Sequence, residues 1–293
     1  MTDIGYINAR MPFNRRILLL LCAFVFGLGL SSFVALIVMT FKGASPAALR
    51  ISVVLQNLLG MILPALITAL FASRNVLAMF GIASAPMLKI SLLAVILWIV
   101  SIPAMNWVVE WNSGIALPDS MHSLEVWLRS LEDQAAAVTN SLLDNNSVMG
   151  LVVTLLTVGV LTGFGEELLF RGTLQRLLQS KPMGIHAAIW ISAFMFSFIH
   201  VQFYGFVPRL LLGAFFGYAF YWSGSLWLAV FFHALNNSTV VIASYFCGST
   251  NLAGSPFAAI GTVADGSASL AAVSVVASLA IIVLMAFTAK KSD

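Results

Sequence analysis

The chain has 293 residues, of which 60% are hydrophobic and only 9% carry a charged side chain. About a quarter of the residues of a soluble globular protein are charged, so this composition excludes an ordinary soluble enzyme and indicates a polytopic membrane protein. The net charge of +3 lies mostly in loops and gives no indication of nucleic-acid binding.

Long apolar segments predict helices, because backbone polar groups must find partners inside lipid and these segments are too long for barrel strands. We predict an all-α, polytopic transmembrane bundle of eight helices. The spans are 17–41, 51–72, 88–109, 149–174, 185–204, 207–222, 226–246 and 268–288. The first apolar segment is longer than a signal-peptide core and indicates a retained helix. We expect one integral-membrane domain over 1–293, whose core at 149–246 carries the motifs described below.

The longest predicted loop, 110–148, contains an apolar pattern at helical spacing. Its members are Leu124, Trp127, Leu128 and Leu131. This pattern predicts an amphipathic helix on the membrane surface. The two cysteines, Cys22 and Cys247, fall in apolar segments and indicate neither a disulfide framework nor a cysteine metal site.

The distribution of basic residues predicts the orientation in the membrane. Ten lie on the side of the two termini: Arg10, Arg15, Arg16, Arg74, Lys89, Arg171, Arg176, Lys181, Lys290 and Lys291. Four lie on the other side: Lys42, Arg50, Arg129 and Arg209. Because cytosolic loops are enriched in Lys and Arg, we expect an integral protein of a bacterial plasma membrane with both termini in the cytosol.

Few ionisable residues fall inside the predicted spans. Glu166 and Glu167 are the two acidic residues there, and His200 and His233 are expected inside apolar helices. An ionisable residue costs a few kcal/mol or more in a membrane helix, so each of these is a candidate functional residue.

Counting along the chain predicts that these residues meet. Glu166 lies about 16 residues before a turn centred near Pro182–Met183, and His200 lies about 17 residues after it, which places them at one level of an antiparallel pair. His233 lies about nine residues past Gly224, or roughly 13 Å along a helix. We therefore expect all three side chains at one depth, on the cytosolic side of the midplane.

Helical spacing assigns these side chains to faces. Glu167 can pair with Arg171 four residues later, whereas Glu166 points about 100° away. His233 and Asn237 share a face in the same manner. Two glycines just before the acids, Gly163 and Gly165, are expected to admit a neighbouring backbone, and the pair Gly213 and Gly217 indicates helix packing.

This arrangement suits amide hydrolysis by water. A carboxylate and an imidazole that hold one water molecule form a general base, here Glu166 with a histidine. His233 and Asn237 could donate hydrogen bonds to the oxyanion formed when water attacks a carbonyl. Water is the simpler nucleophile, because no Ser or Cys lies in a recognisable nucleophile motif beside these residues.

Three motifs in this order resemble a known family. EELLFR fits EExxxR with Glu166, Glu167 and Arg171; FSFIH fits FxxxH with Phe196 and His200; HALNN fits HxxxN with His233 and Asn237. Together they resemble the CPBP family of intramembrane proteases, which includes the type II CAAX prenyl endopeptidase and bacterial relatives linked to bacteriocin immunity. The resemblance covers about 163–237.

The resemblance implies roles for these positions. It implies a water molecule held by Glu166 and His200, oxyanion contacts from His233 and Asn237, and support from Glu167, Arg171 and Phe196. The implied partners are a peptide or protein substrate at the membrane and the lipid bilayer. The family implies no metal and we expect no cofactor; two Glu and two His could ligate zinc, but the HExxH spacing is absent.

Two other functions stay open at this stage. A non-catalytic binding or bacteriocin-immunity scaffold could have the same fold, although it would not need the complete set of acids and histidines. A proton-coupled transporter could use buried Glu and His as a relay, but no inverted repeat is evident. Arg209 follows His200 by only nine residues, so either the fifth and sixth helices are short or Arg209 lines the cavity.

Overall fold

The computed structural model of the chain describes residues 11–43, 45–144, 147–180, 183–247 and 256–290. All regular elements in these ranges are helices, which confirms the predicted all-α bundle. In chain order they are α1 (Phe13–Lys42), α2 (Pro46–Ala72), α3 (Val76–Phe80), α4 (Leu88–Val100), α5 (Ile102–Ser113), α6 (His122–Leu143), α7 (Val148–Gln179), α8 (Ile185–Phe198), α9 (Phe206–Ser223), α10 (Leu226–Cys247), α11 (Pro256–Ala259) and α12 (Ala268–Lys290).

The number of membrane-crossing helices differs from the predicted eight. Among the described residues, six helical segments are long and apolar enough to cross a membrane: α1, α2, α7, α9 with the turn before it, α10 and α12. A seventh crossing forms if α4 and α5, bent by 51°, count as one span. The predicted span 185–204 contains only the 14-residue α8, about 21 Å long, which is shorter than a hydrocarbon core of about 30 Å.

Specific residues begin and end these helices. The Ser45 hydroxyl accepts a hydrogen bond from the Ala48 N–H and Pro46 occupies the first turn, so α2 begins there. Ser147 caps α7 in the same manner through the Gly150 N–H. Gly224 ends α9 with a positive φ of 71°, a conformation that glycine adopts without steric cost.

Two of the helices contain π-helical segments. One segment, Gln56–Ile62, lies in α2, and two lie in α7 at Leu155–Leu161 and Leu168–Gln175. Such segments are rare and often mark functional sites. In α7 they flank the short α-helical stretch Thr162–Glu167, which carries both acidic residues.

Small residues let the helices approach one another. A Cβ on Gly163 would lie 3.0 Å from the backbone nitrogen of Ala234, so the backbones of α7 and α10 approach closely at this point, as predicted. A Cβ on Gly213 would lie 3.1 Å from the Cβ of Ala193, which brings α9 against α8. Large apolar side chains such as Phe26 and Phe33 face outward instead. This distribution is expected where the surroundings are lipid rather than water.

The loop 110–148 contains the predicted helix, α6. Its hydrogen-bonded contact with the bundle is Glu132, whose carboxylate accepts the N–H of Tyr204 at 2.8 Å, while Trp127 is 53% exposed. The contact of this helix with lipid stays a prediction. The orientation in the membrane also stays a prediction. Four residues used for it or for the turn count lie outside the described residues: Arg10, Lys181, Pro182 and Lys291. The side chain of Cys247 also lies outside the described part of the structure.

Candidate active site

A cavity of about 300 Å³ lies between α7, α8, α9 and α10. Its walls are formed by Thr162, Glu166, Phe196, His200, Gly205, Pro208, Arg209, Leu212, Phe216, His233, Asn236 and Asn237. Four predicted site residues, Glu166, His200, His233 and Asn237, therefore line one cavity although they come from three separate parts of the chain. Glu167 and Arg171 lie beneath the cavity and are fully buried.

His200 does not lie inside an apolar helix, as the sequence had led us to expect. Helix α8 ends at Phe198, and the chain reverses through Val201, which has a positive φ of 53°. The His200 Nδ1 lies 2.7 Å from the Phe196 carbonyl oxygen. A carbonyl can only accept, so Nδ1 carries the hydrogen and Nε2 keeps its lone pair for another partner.

Glu167 and Arg171 form the ion pair predicted from their spacing. Glu167 Oε1 lies 2.7 Å from Arg171 Nη1, and both side chains have no exposed surface. The other terminal nitrogen of Arg171 donates to the Gly213 carbonyl oxygen at 2.8 Å. The guanidinium also lies over the ring of Phe196, 4.6 Å from its centroid. Arg171 thus connects α7 to α9 and positions the phenylalanine that holds His200.

His233 lies between the two acidic residues. Its Nδ1 is 2.7 Å from Glu167 Oε1, and its Nε2 is 3.6 Å from Glu166 Oε2. The first distance is a hydrogen bond and the second is too long for one. The ring of Phe216 stacks on His233 with centroids 4.9 Å apart and fixes the plane of the imidazole. The spacing argument had paired Glu167 with Arg171 alone and did not foresee that it also orients His233.

Asn237 is held by two neighbours. Its Nδ2 donates to the Val158 carbonyl oxygen at 3.2 Å, and its Oδ1 accepts a 3.3 Å hydrogen bond from the Asn236 side chain. Since an amide nitrogen has two hydrogens, one remains available at the cavity wall. Val158 belongs to the first π-helical segment of α7, so that segment contributes to the orientation of Asn237.

Sequence reasoning missed several polar residues at this site. Thr162 and Asn236 line the cavity, and Asn57 lies behind Thr162 with its Nδ2 3.0 Å from the threonine hydroxyl. A Cβ on Gly165 would lie 2.8 Å from Asn57 Oδ1, so this glycine makes room for the asparagine. The signal for Asn57 was a pair of adjacent amides, Gln56 and Asn57, within a span that has no charged residue, which we had not considered.

The structure answers the question left open for Arg209. Arg209 lines the cavity, as the second alternative proposed, whereas only the fifth predicted helix, α8, is short and α9, with the turn before it, is long enough to cross a membrane. Arg209 Nη2 donates to Gln202 Oε1 at 2.7 Å.

The part of the chain that the structure describes contains no group of three or more His, Cys, Asp or Glu side chains arranged to hold a metal ion. The imidazole rings of His200 and His233 offer four nitrogens that could bind a metal ion. Two of them, His200 Nδ1 and His233 Nδ1, already make short hydrogen bonds within the protein. The expectation that the site needs no cofactor stays a prediction.

Comparison with known families supports the resemblance that the motifs indicate. Residues 148–239 match the model of a family described as Rce1-like, type II CAAX prenyl endopeptidase Rce1-like. No curated protein and no solved structure matches the chain. The matched segment covers α7 to most of α10 and contains every predicted site residue, so it supports an assignment to the CAAX-type protease family on this part of the chain.

Proposed function

Because residues 148–239 match the CAAX-type protease family, we propose that this protein is an intramembrane endopeptidase whose nucleophile is a water molecule activated by Glu166. The observation that carries the proposal is the single cavity lined by Glu166, His200, His233 and Asn237 within an apolar bundle. A carboxylate, two imidazoles and an amide supply a base and hydrogen-bond donors, which are the groups that amide hydrolysis requires.

The bound water would lie between Glu166 and His200. The Nδ1 of His200 donates to Phe196, so Nε2 can accept a hydrogen bond from the water and orient it. The Glu166 side chain is only 12% exposed, so bulk water competes little for its carboxylate. Glu166 then takes a proton from the water as the water oxygen attacks the carbonyl carbon of the substrate.

The charges of the buried groups can balance while this proton moves. Glu167 and Arg171 form one neutral pair, and an ionised Glu166 beside a protonated His233 forms a second neutral pair. With Nδ1 donating to Glu167, protonation of His233 places its second hydrogen on Nε2, toward Glu166 and the cavity. A site without net charge avoids much of the cost of ionised groups in an apolar bundle.

The oxyanion would be stabilised by His233 Nε2–H and the free N–H of Asn237. When water adds, the carbonyl electron pair moves to oxygen, and these two donors surround that charge. The tetrahedral intermediate then collapses, the C–N bond breaks, and the proton held by Glu166 passes to the leaving nitrogen. The products are a carboxylic acid and an amine, so the water is fully accounted for.

The size and depth of the cavity favour an extended peptide segment as the substrate. A volume of about 300 Å³ lies at the low end of ligand pockets and excludes a folded domain. The stretch 148–165 has no charged residue and is about 27 Å long as a helix, nearly a full hydrocarbon core. In the predicted orientation, cleavage therefore occurs near the cytosolic membrane face.

The test compares peptides in membranes from cells that express the wild type, Glu166→Gln or Asp119→Asn. Asp119 is exposed and outside the cavity, so its substitution controls for the loss of a carboxylate. We expect cleavage to create the same new peptide termini in cells with the wild type and in cells with Asp119→Asn. We expect no new termini in cells with Glu166→Gln. Identical profiles for all three proteins would support a non-catalytic scaffold instead.

A further inference from the structure

Arg209 is the one permanently charged cation among the side chains that line the cavity. It lies in the first turn of α9, shortly after the turn that connects α8 to α9. Neither the hydrolytic roles proposed above nor the three sequence motifs use this residue. Burial of a guanidinium in an apolar bundle costs free energy, so we expect a polar or charged partner for Arg209.

The guanidinium is held in place on one side only. Its Nη2 donates to Gln202 Oε1 at 2.7 Å, whereas Nη1 is buried and has no hydrogen-bond partner among the described residues. Gly205 lies against the same group, because a Cβ on this residue would be 3.1 Å from Nη2. The glycine therefore gives the flat guanidinium room, and the glutamine sets its rotation.

No carboxylate of the described chain forms an ion pair with Arg209. Glu132 and Glu166 are near enough to act on its charge, but neither lies within ion-pair distance. One oxygen of Glu132 accepts the N–H of Tyr204, and Glu166 faces His233. The strongest hydrogen-bond acceptor for a buried guanidinium is a carboxylate, which matches its fork of N–H groups.

We propose that Arg209, positioned by Gln202 and Gly205, binds a carboxylate of the peptide substrate and selects substrates that carry one. The proposal deepens the proposed function and rests on it, because the same cavity holds the scissile bond. The carboxylate comes either from the C-terminus of the substrate or from an Asp or Glu side chain. It fixes the register of the peptide, since it anchors one point of the segment in the same cavity as Glu166 and His233.

Three matched peptides distinguish these sources. Each is an apolar octapeptide with an N-terminal fluorophore: one ends in a free carboxylate, one ends in an amide, and one ends in an amide but carries Glu in place of Gln near its C-terminus. Binding is measured by fluorescence anisotropy on the full-length Glu166→Gln protein in detergent, which prevents turnover. Charge-assisted hydrogen bonds predict that a carboxylate peptide binds about 10- to 100-fold more tightly than the amide peptide.

The preference, rather than the affinity, identifies the role of Arg209. In the Glu166→Gln background, Arg209→Gln should bring the carboxylate and amide peptides to equal affinity, and Arg209→Lys should retain part of the difference. A purely structural role would weaken all three peptides alike. Arg74→Gln is the control, because Arg74 is exposed and outside the cavity, and it should leave the preference unchanged.

The outcomes separate this inference from the proposed function. Equal binding of the three peptides, no binding of any, or a preference that survives Arg209→Gln would overturn the inference. Cleavage of the same peptides by the wild type is measured in parallel. Cleavage without a carboxylate preference would support the protease function and contradict the role of Arg209. A carboxylate preference without any cleavage would support the role of Arg209 and contradict the protease function.

Discussion

Replacing one partner of the Glu167–Arg171 pair should destabilise the protein strongly, while replacing both should cost much less than the sum. Both side chains are fully buried and lie 2.7 Å apart. Removal of one partner from a buried pair leaves an uncompensated charge and typically costs about 3–5 kcal/mol. We therefore expect a loss of that size for Glu167→Gln and for Arg171→Met.

The expected stability of the double variant follows from the contacts around the pair. A glutamine at position 167 can still accept the His233 Nδ1–H, and the Gly213 carbonyl loses its Arg171 donor, which costs about 1 kcal/mol. The double variant should thus lose less free energy of unfolding than either single variant. The coupling energy between the two positions should exceed about 3 kcal/mol. Unfolding in mixed micelles, followed by tryptophan fluorescence as SDS is added, gives the four free energies of the cycle.

Glu125 and Arg129 provide a matched control at the surface. They have the same four-residue spacing and the same 2.7 Å distance, but Arg129 is 48% exposed. The Arg129 guanidinium and the Leu117 N–H lower the pKa of Glu125, so this exposed pair is ionised at neutral pH. Coupling should be far weaker at the exposed pair. Additive losses at Glu167 and Arg171, or equal coupling in the two cycles, would refute the reasoning.

Four further predictions address the site and its setting. His200→Ala should abolish cleavage in a peptide assay while the SDS unfolding midpoint stays near that of the wild type, and normal cleavage would remove His200 from the mechanism. Asn237→Ala should lower kcat by roughly 10²–10³ with little change in KM, whereas an effect confined to KM would indicate substrate positioning. Gly163→Ala should cost about 1–3 kcal/mol and reduce activity, because its Cβ would meet backbone atoms of Ala234, while Gly29→Ala, with no neighbour within 4 Å, should do neither. In a protein without its own cysteines, an impermeant thiol reagent outside the cell should label a cysteine at Asp133 and not one at Met183, and the opposite pattern would reverse the predicted orientation.

Composition and motif order were enough to predict the bundle and the residues that share the cavity. Long uncharged segments can be stable only as helices in lipid, so hydropathy located most of them. Counting residues from the turns predicted that Glu166, His200 and His233 meet, and the structure brings them to one cavity. Spacing also predicted the Glu167–Arg171 pair, because residues four apart face each other, here although Arg171 lies within a π-helical segment.

Other features of the fold could not be predicted from the hydropathy pattern. The reversal at Val201 follows an apolar stretch without Gly or Pro, so the predicted fifth span ran through it and placed His200 in a helix. The π-helical segments do not change which residues are apolar and cannot be located from periodicity. The bend between α4 and α5 did have a signal, since Pro103 follows Ile102 and disfavours a continuous helix there.

The most direct test of the account is hydrolysis by purified protein in water enriched in ¹⁸O. Wild type or Glu166→Gln is added to solubilised membrane proteins from cells that lack the gene, and new peptide C-termini are examined by mass spectrometry. The account predicts new termini that carry one ¹⁸O atom with the wild type and none with Glu166→Gln, although both proteins unfold at similar SDS concentrations. New labelled termini at the wild-type rate with folded Glu166→Gln would contradict the central role of Glu166.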